Sequence, residues 1–368
     1  MKQDFILGKL AQIMSWENEA ARVEFNWLRL MAGMKYDGYQ DFLAGARFVE
    51  SLADWLQQFT ELEEKRAAYT FIRRSLVYLS TAEMNHLVEL FYPETVVRCL
   101  QELVAQRQKI STWQTWASAE SRKLFDRLRR QSLFIELSDG ARIDVFRRAN
   151  TGLISNEQAL TSPQFNLEKW GTLLKDLRKD LDDPEARFAF VFLIDDFVGS
   201  GTTLLRRKDD GTWKGKMVRF WEDMHDKIDT YFEPGWSLKV HHYLATDRAK
   251  SVVKERNAQI LAERGGNKWF SNVDFTFGAT LPADLPIRPE THQAFIALTD
   301  KYYDKSIENE HTREGGTDAK LGFGQCALPL IMEHNTPNNA VSLLWADTEG
   351  KDGQHAMRPL FRRRQRHV

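Results

Sequence analysis

The chain has 368 residues, with 42% hydrophobic and 12% aromatic content, and 51 Lys and Arg balance 52 Asp and Glu to a formal net charge of -1. That composition fits one large or two ordinary globular domains with ample core. A balance so close to neutral gives no global field for nucleic acid or an anionic membrane surface. The two cysteines, Cys99 and Cys326, stand in apolar contexts without metal-ligand spacing and read as buried free thiols, so no metal site is expected. Met1 to Phe5 lacks a signal-peptide core, and no run of about 18 apolar residues would span a membrane. The expected location is cytoplasmic.

From Trp16 to about Gln131 the pattern predicts helix after helix. Phe48, Leu52, Trp55 and Phe59 recur with the spacing of one apolar helix face, and Ile72, Leu76 and Leu79 repeat the habit. Asp37-Gly38, Ser80-Thr81 and Tyr92-Pro93 supply caps and turns. An all-helical N-terminal domain is expected over 1–131, followed by an α/β domain over 132–368. Trp16, Trp27, Trp55, Trp113 and Trp116 sit in this helical part. Aromatics at helical spacing read as core before they read as base-stacking platforms, and a docking face for a protein partner is the functional alternative.

The pattern changes at Ser132. Leu133–Leu137 and Ala141–Phe146 read as two short strands split by Ser138-Asp139-Gly140, with Arg147-Arg148 following at once. A surface hairpin with a solvated arginine pair accounts for them, and so does an anion-binding loop. The segment 150–166 is polar, and Leu167–Leu181 predicts an amphipathic helix.

Next comes the run Phe188-Ala189-Phe190-Val191-Phe192-Leu193-Ile194, seven apolar residues without alternation, as in a parallel strand buried on both faces. Asp195 and Asp196 follow it, at the end where open α/β sheets bind ligands. Gly199-Ser200-Gly201-Thr202-Thr203 then offers glycines for positive φ, hydroxyls, and N–H groups for an anion. No Lys follows the second glycine as a triphosphate P-loop requires, and the spacing for a dinucleotide fingerprint is missing. A plain strand, turn and helix cap remains the bland alternative.

The string Ile194–Thr203 resembles the phosphoribosyl-pyrophosphate signature of the type I phosphoribosyltransferases. The resemblance implies a mostly parallel phosphoribosyltransferase-like sheet with flanking helices. It also implies that Asp195 and Asp196, at a solvent-facing strand end, hold the ribose 2′- and 3′-hydroxyls. Gly199, Ser200, Gly201, Thr202 and Thr203 would cradle the 5′-phosphate. In that family an early strand leads into a pyrophosphate-binding loop, which makes Asp139, Arg147 and Arg148 candidates here, with Mg²⁺ bridging the ligand.

Lys214 and Lys216, in a turn-rich excursion, would approach pyrophosphate or stay solvated. A helix is expected from about Val218 to Tyr231. Ser237–Ala245 and Val273–Phe277 predict further strands, and Glu290–Tyr303 a helix. His241 and His242, adjacent on a strand, point to opposite faces and do not share a metal. Strands alternating with helices after Ser132 fit a doubly wound parallel sheet.

Gly322–Met332 ends in Glu333-His334-Asn335-Thr336-Pro337-Asn338-Asn339. That loop reads as a turn, or as a place where His334, Asn335 and Asn338 would meet a sugar or base edge at another strand end of the same sheet. This run, Ser138–Arg142 and the central motif are similar to phosphoribosyltransferase-like effectors of bacterial conflict systems, encoded beside anti-phage sensing genes. The resemblance covers most of the chain after Ser132. It implies a phosphoribosyl pyrophosphate or nucleotide ligand, chemistry at the ribose anomeric carbon or else ligand sensing without turnover, and protein partners from a defence operon that would dock through the helical part. The basic end Arg358–His367 would touch phosphate, nucleic acid or an acidic partner, or merely be solvated.

Overall fold

A computed structural model describes residues 2–40, 42, 47–161, 167–266, 268–350 and 355–363. In chain order its elements are α1 (Lys2–Met14), α2 (Asn18–Met34), α3 (Phe48–Gln57), α4 (Leu62–Arg74), β1 (Val77–Leu79), α5 (Thr81–Phe91), α6 (Val97–Gln108) and α7 (Ala119–Arg130). There follow β2 (Ser132–Glu136), α8 (Ile143–Ala149), β3 (Ala159–Leu160), α9 (Leu167–Leu181), β4 (Phe188–Val198), β5 (Arg206–Arg207), β6 (Trp213–Lys214), α10 (Lys216–Met224) and α11 (Ile228–Tyr231). The last are β7 (Phe232–Thr246), α12 (Asp247–Arg264), β8 (Val273–Leu281), α13 (Pro289–Tyr302), α14 (Glu310–Gly315) and β9 (Leu330–Met332).

The chain divides into two compact units, one of 1–83 with 283–368 and one of 84–282. This division differs from the expected boundary at 131/132. The rest of α5 together with α6 and α7 belongs with the sheet, and the C-terminal segment belongs with the N-terminal helices.

In the unit of 84–282 a five-stranded, all-parallel sheet has the order β3-β2-β4-β7-β8. The seven-residue apolar run lies inside β4, the central strand, and is fully buried, as a strand covered on both faces must be. On one face Phe134, Phe192, Ile194 and Tyr243 pack against Phe91, Leu100, Phe125 and Phe146. On the other, Leu133, Ile135, Val191, Leu193 and Val240 meet Trp170 and Leu177 of α9, Met217 and Phe220 of α10, and Val253 and Ile260 of α12.

Ala141–Phe146, expected as a strand, enters α8 instead. Arg142 takes the left-handed conformation at φ 50°, which turns the chain. Ile143 and Phe146 then bury together at i, i+3, while Asp144 and Arg148 pair outside at i, i+4.

In the other unit, α1 to α4 and α13 share one core with the C-terminal segment, including Trp55, Phe71, Phe295, Val341 and Phe361. Leu76 and Leu79 do not continue the preceding helix. Val77–Leu79 is a strand because it pairs in parallel with β9, which supplies the hydrogen-bond partners a strand needs. Trp55 is core as expected, but in the unit of 84–282 Trp113 and Trp116 are exposed.

Candidate functional site

From β2 the chain moves outward to β3, then returns to β4 on β2's other side and continues outward through β7 and β8. The order therefore reverses between β2 and β4. Their carboxyl ends form a topological switch point, where α/β sheets leave a crevice for ligands. Asp195 and Asp196 lie at that end of β4, and Ser138 lies in the loop after β2.

Adjacent strand residues point to opposite faces, so the two acids do not share surroundings. Asp195 is only 3% exposed. It accepts a hydrogen bond from Ser138 Oγ and forms an ion pair with Lys216 Nζ. Asp196 is half-buried, and its carboxylate accepts from the Phe197 N–H at 2.8 Å. The expectation of two solvent-facing acids is thus corrected for Asp195, which α10 covers with a lysine.

Lys216 reaches this position through the excursion that follows the loop. β5 and β6 pair as an antiparallel hairpin, and the Lys216 and Met217 N–H groups then bond the Thr203 and Leu204 carbonyls, each at 3.1 Å. Gly215 has φ 132°, and a Cβ there would stand 2.3 Å from the Leu204 carbonyl oxygen. Only glycine lets α10 start so close to the loop.

Around the acids gather buried groups that sequence reasoning did not single out as site residues. Burial, reinforced by Asp139, Asp144 and Asp195, pushes the Glu136 carboxyl at the end of β2 up to about 7. Burial also raises the Asp195 carboxyl, with Lys216 pulling the other way. His242 pairs in register with Asp195, and burial with Lys216 nearby drives it down to about 3, so it is a neutral imidazole. Tyr243, fully buried in the field of Asp196, Asp195, Arg142 and Glu136, is held well above its ordinary value, burial being the largest cause. Arg142 joins through Asn85, whose side-chain oxygen accepts from Nη1 at 2.9 Å. The available signal was strand parity. Glu136 ends a strand next to the motif, and His242 lies on the strand that follows it.

The loop Gly199–Thr203 has the form expected of an anion cradle. Gly201 adopts φ 76°, and a Cβ would sit 2.9 Å from Val253 Cγ1 of α12, so both conformation and space call for glycine. Thr202 N–H turns back to Ser200 Oγ at 3.3 Å. Among the described residues the N–H groups of Ser200, Gly201 and Thr203 meet no protein acceptor. Thr246 Oγ1 donates to the Gly199 carbonyl at 2.6 Å and accepts from the Ala249 N–H at 3.0 Å, tying the loop to the first turn of α12.

The remaining candidates stand on elements other than β4 and its loop. Asp139 is exposed in the loop after β2. Arg147 and Arg148 are exposed in the last turn of α8, with Arg148 paired to Asp144. His334, Asn335 and Asn338 follow β9, which pairs with β1 in a separate two-stranded sheet of the other unit. The argument from a shared sheet therefore does not hold for them. In their loop Thr336 shares a hydrogen bond with Tyr39, and the Asn339 amide donates to the Phe323 carbonyl. Of the basic end, Leu360 and Phe361 are fully buried, Arg362 pairs with Asp347 at 3.3 Å, and Arg363 lies over Trp345. Residues 364–368 of that end lie outside the described residues.

A parallel sheet with the motif on its central strand, a glycine loop at the switch point and helices on both faces is the arrangement the sequence motif implied. The model of the PRTase-CE family matches residues 52–363. The chain belongs to the PRTase-CE family. It is a phosphoribosyltransferase-like effector family, and the α/β sheet with its flanking helices is consistent with that fold. No curated protein and no solved structure matches the chain. The PRTase-CE match takes in both the sheet and most of the helical unit, from α3 to the buried end at Phe361.

Proposed function

We propose that this PRTase-CE protein binds a phosphoribosylated metabolite or nucleotide at the ends of β2 and β4, and acts at its ribose anomeric carbon as a cytoplasmic effector of anti-phage defence. The observation that carries the reading is the pairing of a carboxylate strand end with a glycine loop in which, among the described residues, the N–H groups of Ser200, Gly201 and Thr203 have no protein acceptor, both at the switch point. In this reading the loop N–H groups take the 5′-phosphate and Asp196 accepts from a ribose hydroxyl. Lys216 and Ser138 hold Asp195 rigid beneath the ring, so the site is preorganised.

When the bond at the anomeric carbon breaks, its electron pair leaves with the departing group and positive charge develops on the sugar. Asp195 and Asp196 supply the opposing field. Glu136, whose carboxyl titrates near neutral pH, is placed to exchange a proton with the departing or entering group. The described residues contain no group of three His, Cys, Asp or Glu that would hold a metal ion. Exposed Asp139, in the loop after β2, is the carboxylate that would help to hold a Mg²⁺ brought by the ligand, and the ion would offset phosphate charge.

The test is incubation of the pure protein with phosphoribosyl pyrophosphate and with each common nucleotide, reading released base or pyrophosphate by mass spectrometry. Turnover that Asp196→Asn abolishes supports the reading. Absence of both turnover and ligand-dependent thermal stabilisation overturns it. A second reading, a sensor that binds without turnover, is favoured by one feature. The Asp195 carboxylate is already committed to Lys216 and Ser138. Stabilisation without turnover selects it.

A further inference from the structure

The two edges of the five-stranded sheet are finished differently. At one edge β3 has two residues, too few to receive another strand, whereas β8 at the other runs for nine, Val273–Leu281. Asp274, Gly278 and Thr280 are exposed, and the other residues from Val273 to Ala279 are half-buried, although the facing stretch of β7, His241–Thr246, is buried throughout.

Register gives the direction of each backbone group on that edge. β8 pairs with β7 from Leu238↔Val273 to Thr246↔Leu281 without a shift, and the Leu238 N–H donates to the Asn272 carbonyl at 2.9 Å. Alternate residues of a strand turn their N–H and C=O groups to opposite sides. Asp274, Thr276, Gly278 and Thr280 therefore serve β7, while Val273, Phe275, Phe277 and Ala279 turn theirs outward. Among the described residues none of those outward groups meets a protein partner. The devices that normally blunt an open edge are missing too. The strand carries no Lys, no Pro and no bulge, and its single charge, Asp274, is taken up by Lys239 of β7.

What fits this edge is its own image. Antiparallel pairing about a two-fold axis through Thr276 brings Val273 opposite the second copy's Ala279 and Phe275 opposite its Phe277, so every outward N–H and C=O gains a partner. The side-chain pairs agree with that register. Phe275 meets Phe277 on both sides of the axis, Thr276 meets its own counterpart, and Asp274 meets Gly278 rather than another carboxylate.

We propose that β8 is the contact of a symmetric dimer, in which two copies of this chain add their β8 strands antiparallel and the two five-stranded sheets become one. Strands of the two sheets then run in opposite directions, so the two switch points open at opposite ends and neither needs the other copy's residues. The inference stands apart from what the crevice binds.

Light scattering on the full chain after gel filtration is the first test. The mass is expected to rise toward that of two chains as concentration climbs from about 1 to 100 μM. Ala279→Pro removes one outward N–H from each copy without touching the bonds to β7, and should weaken the dimer about tenfold or more, since the change counts twice across the axis. Thr276→Cys in a Cys99→Ser background tests the register, with buried Cys326 kept. Facing residues at a non-hydrogen-bonded antiparallel position stand about 4.5 Å apart between Cα atoms, within disulfide reach. Mild oxidation should therefore link two copies through Thr276→Cys and not through Thr280→Cys. A native chain that keeps the mass of one copy over the whole range overturns the proposal and leaves the edge to a strand of another protein. So does a dimer that a folded Ala279→Pro variant retains undiminished, or one that links through Thr280→Cys instead. If Ala279→Pro unfolds, the two cysteine variants decide.

Discussion

The loops after β4 and β9 begin alike, each following an apolar strand that runs into polar residues, yet the molecule spends them differently. After β4 the strand is one of five, and the polar residues meet Ser138, Lys216 and α12 while the N–H groups of Ser200, Gly201 and Thr203 keep no protein acceptor among the described residues. After β9 the strand has a single partner, β1, and several polar groups bond within the same unit. Glu333 N–H bonds the Leu79 carbonyl at 2.9 Å, Thr336 shares a hydrogen bond with Tyr39, and Asn339 serves the Phe323 carbonyl. The two ends thus differ in what meets them, Ser138 and Lys216 after β4, and β1 with Tyr39 and Phe323 after β9.

If that contrast is right, changes at the two ends have different signatures. The largest effect belongs to Lys216→Met, which leaves Asp195 buried without its cation. Breaking a buried pair costs about 3–5 kcal/mol. The loss should be full at pH 8 and smaller at pH 5, because burial already raises the Asp195 carboxyl and protonation removes the unpaired charge. Denaturant titrations at the two pH values check this, and a loss equal at both would break the account of Asp195 as a charged node.

Glu136→Gln should act in the opposite direction. The folded carboxyl is raised from 4.5 to about 7, so ionising it penalises the native state as pH climbs through that window. Replacing it should stabilise the protein at pH 8 by up to about 3 kcal/mol and make little difference at pH 4. Thermal melts across pH 4–8 read the difference, and a variant that tracks the native chain at every pH would show that Glu136 is solvated.

Asp196→Asn should weaken a phosphoribosyl ligand by about 1.5–3 kcal/mol, one charged hydrogen bond, with little change in melting temperature. Asn339→Ala, at the β9 end, should do the reverse. Leaving the buried Phe323 carbonyl without its donor costs about 1–2 kcal/mol of stability and leaves ligand affinity alone. Calorimetry and melting on the same two variants sharpen the comparison most directly. Swapped signatures would exchange the roles given to the two loops.

Much of the site's skeleton could be read directly from local pattern. Seven apolar residues, two acids and Gly-Ser-Gly are adjacent in the chain, and a buried parallel strand and a tight turn are local consequences of such runs. The helices expected over Leu167–Leu181 and Glu290–Tyr303 and the strands expected over Ser237–Ala245 and Val273–Phe277 followed from periodicity in the same way, although β7 starts earlier, at Phe232. Ala141–Phe146 misled because six residues of mixed polarity satisfy both a period of two and the first turns of a helix. The left-handed Arg142 that decides between them is a backbone fact.

Sequence by itself therefore determined the class of the sheet, the position of the motif on a strand covered from both sides, and the glycine turn of the loop, since each depends on residues within a few positions of one another. Tertiary structure alone decided which strands flank β4, that β9 joins β1 instead of that sheet, and that the C-terminal segment shares a core with the N-terminal helices. It also decided that Asp195 is sealed by Lys216 while Asp196 stays half-open, and that Glu136, His242 and Tyr243 converge there. The physical reason is range. Strand order and long contacts are chosen by the burial of whole faces against the entropy of closing long loops, a sum over the chain that no local spacing carries.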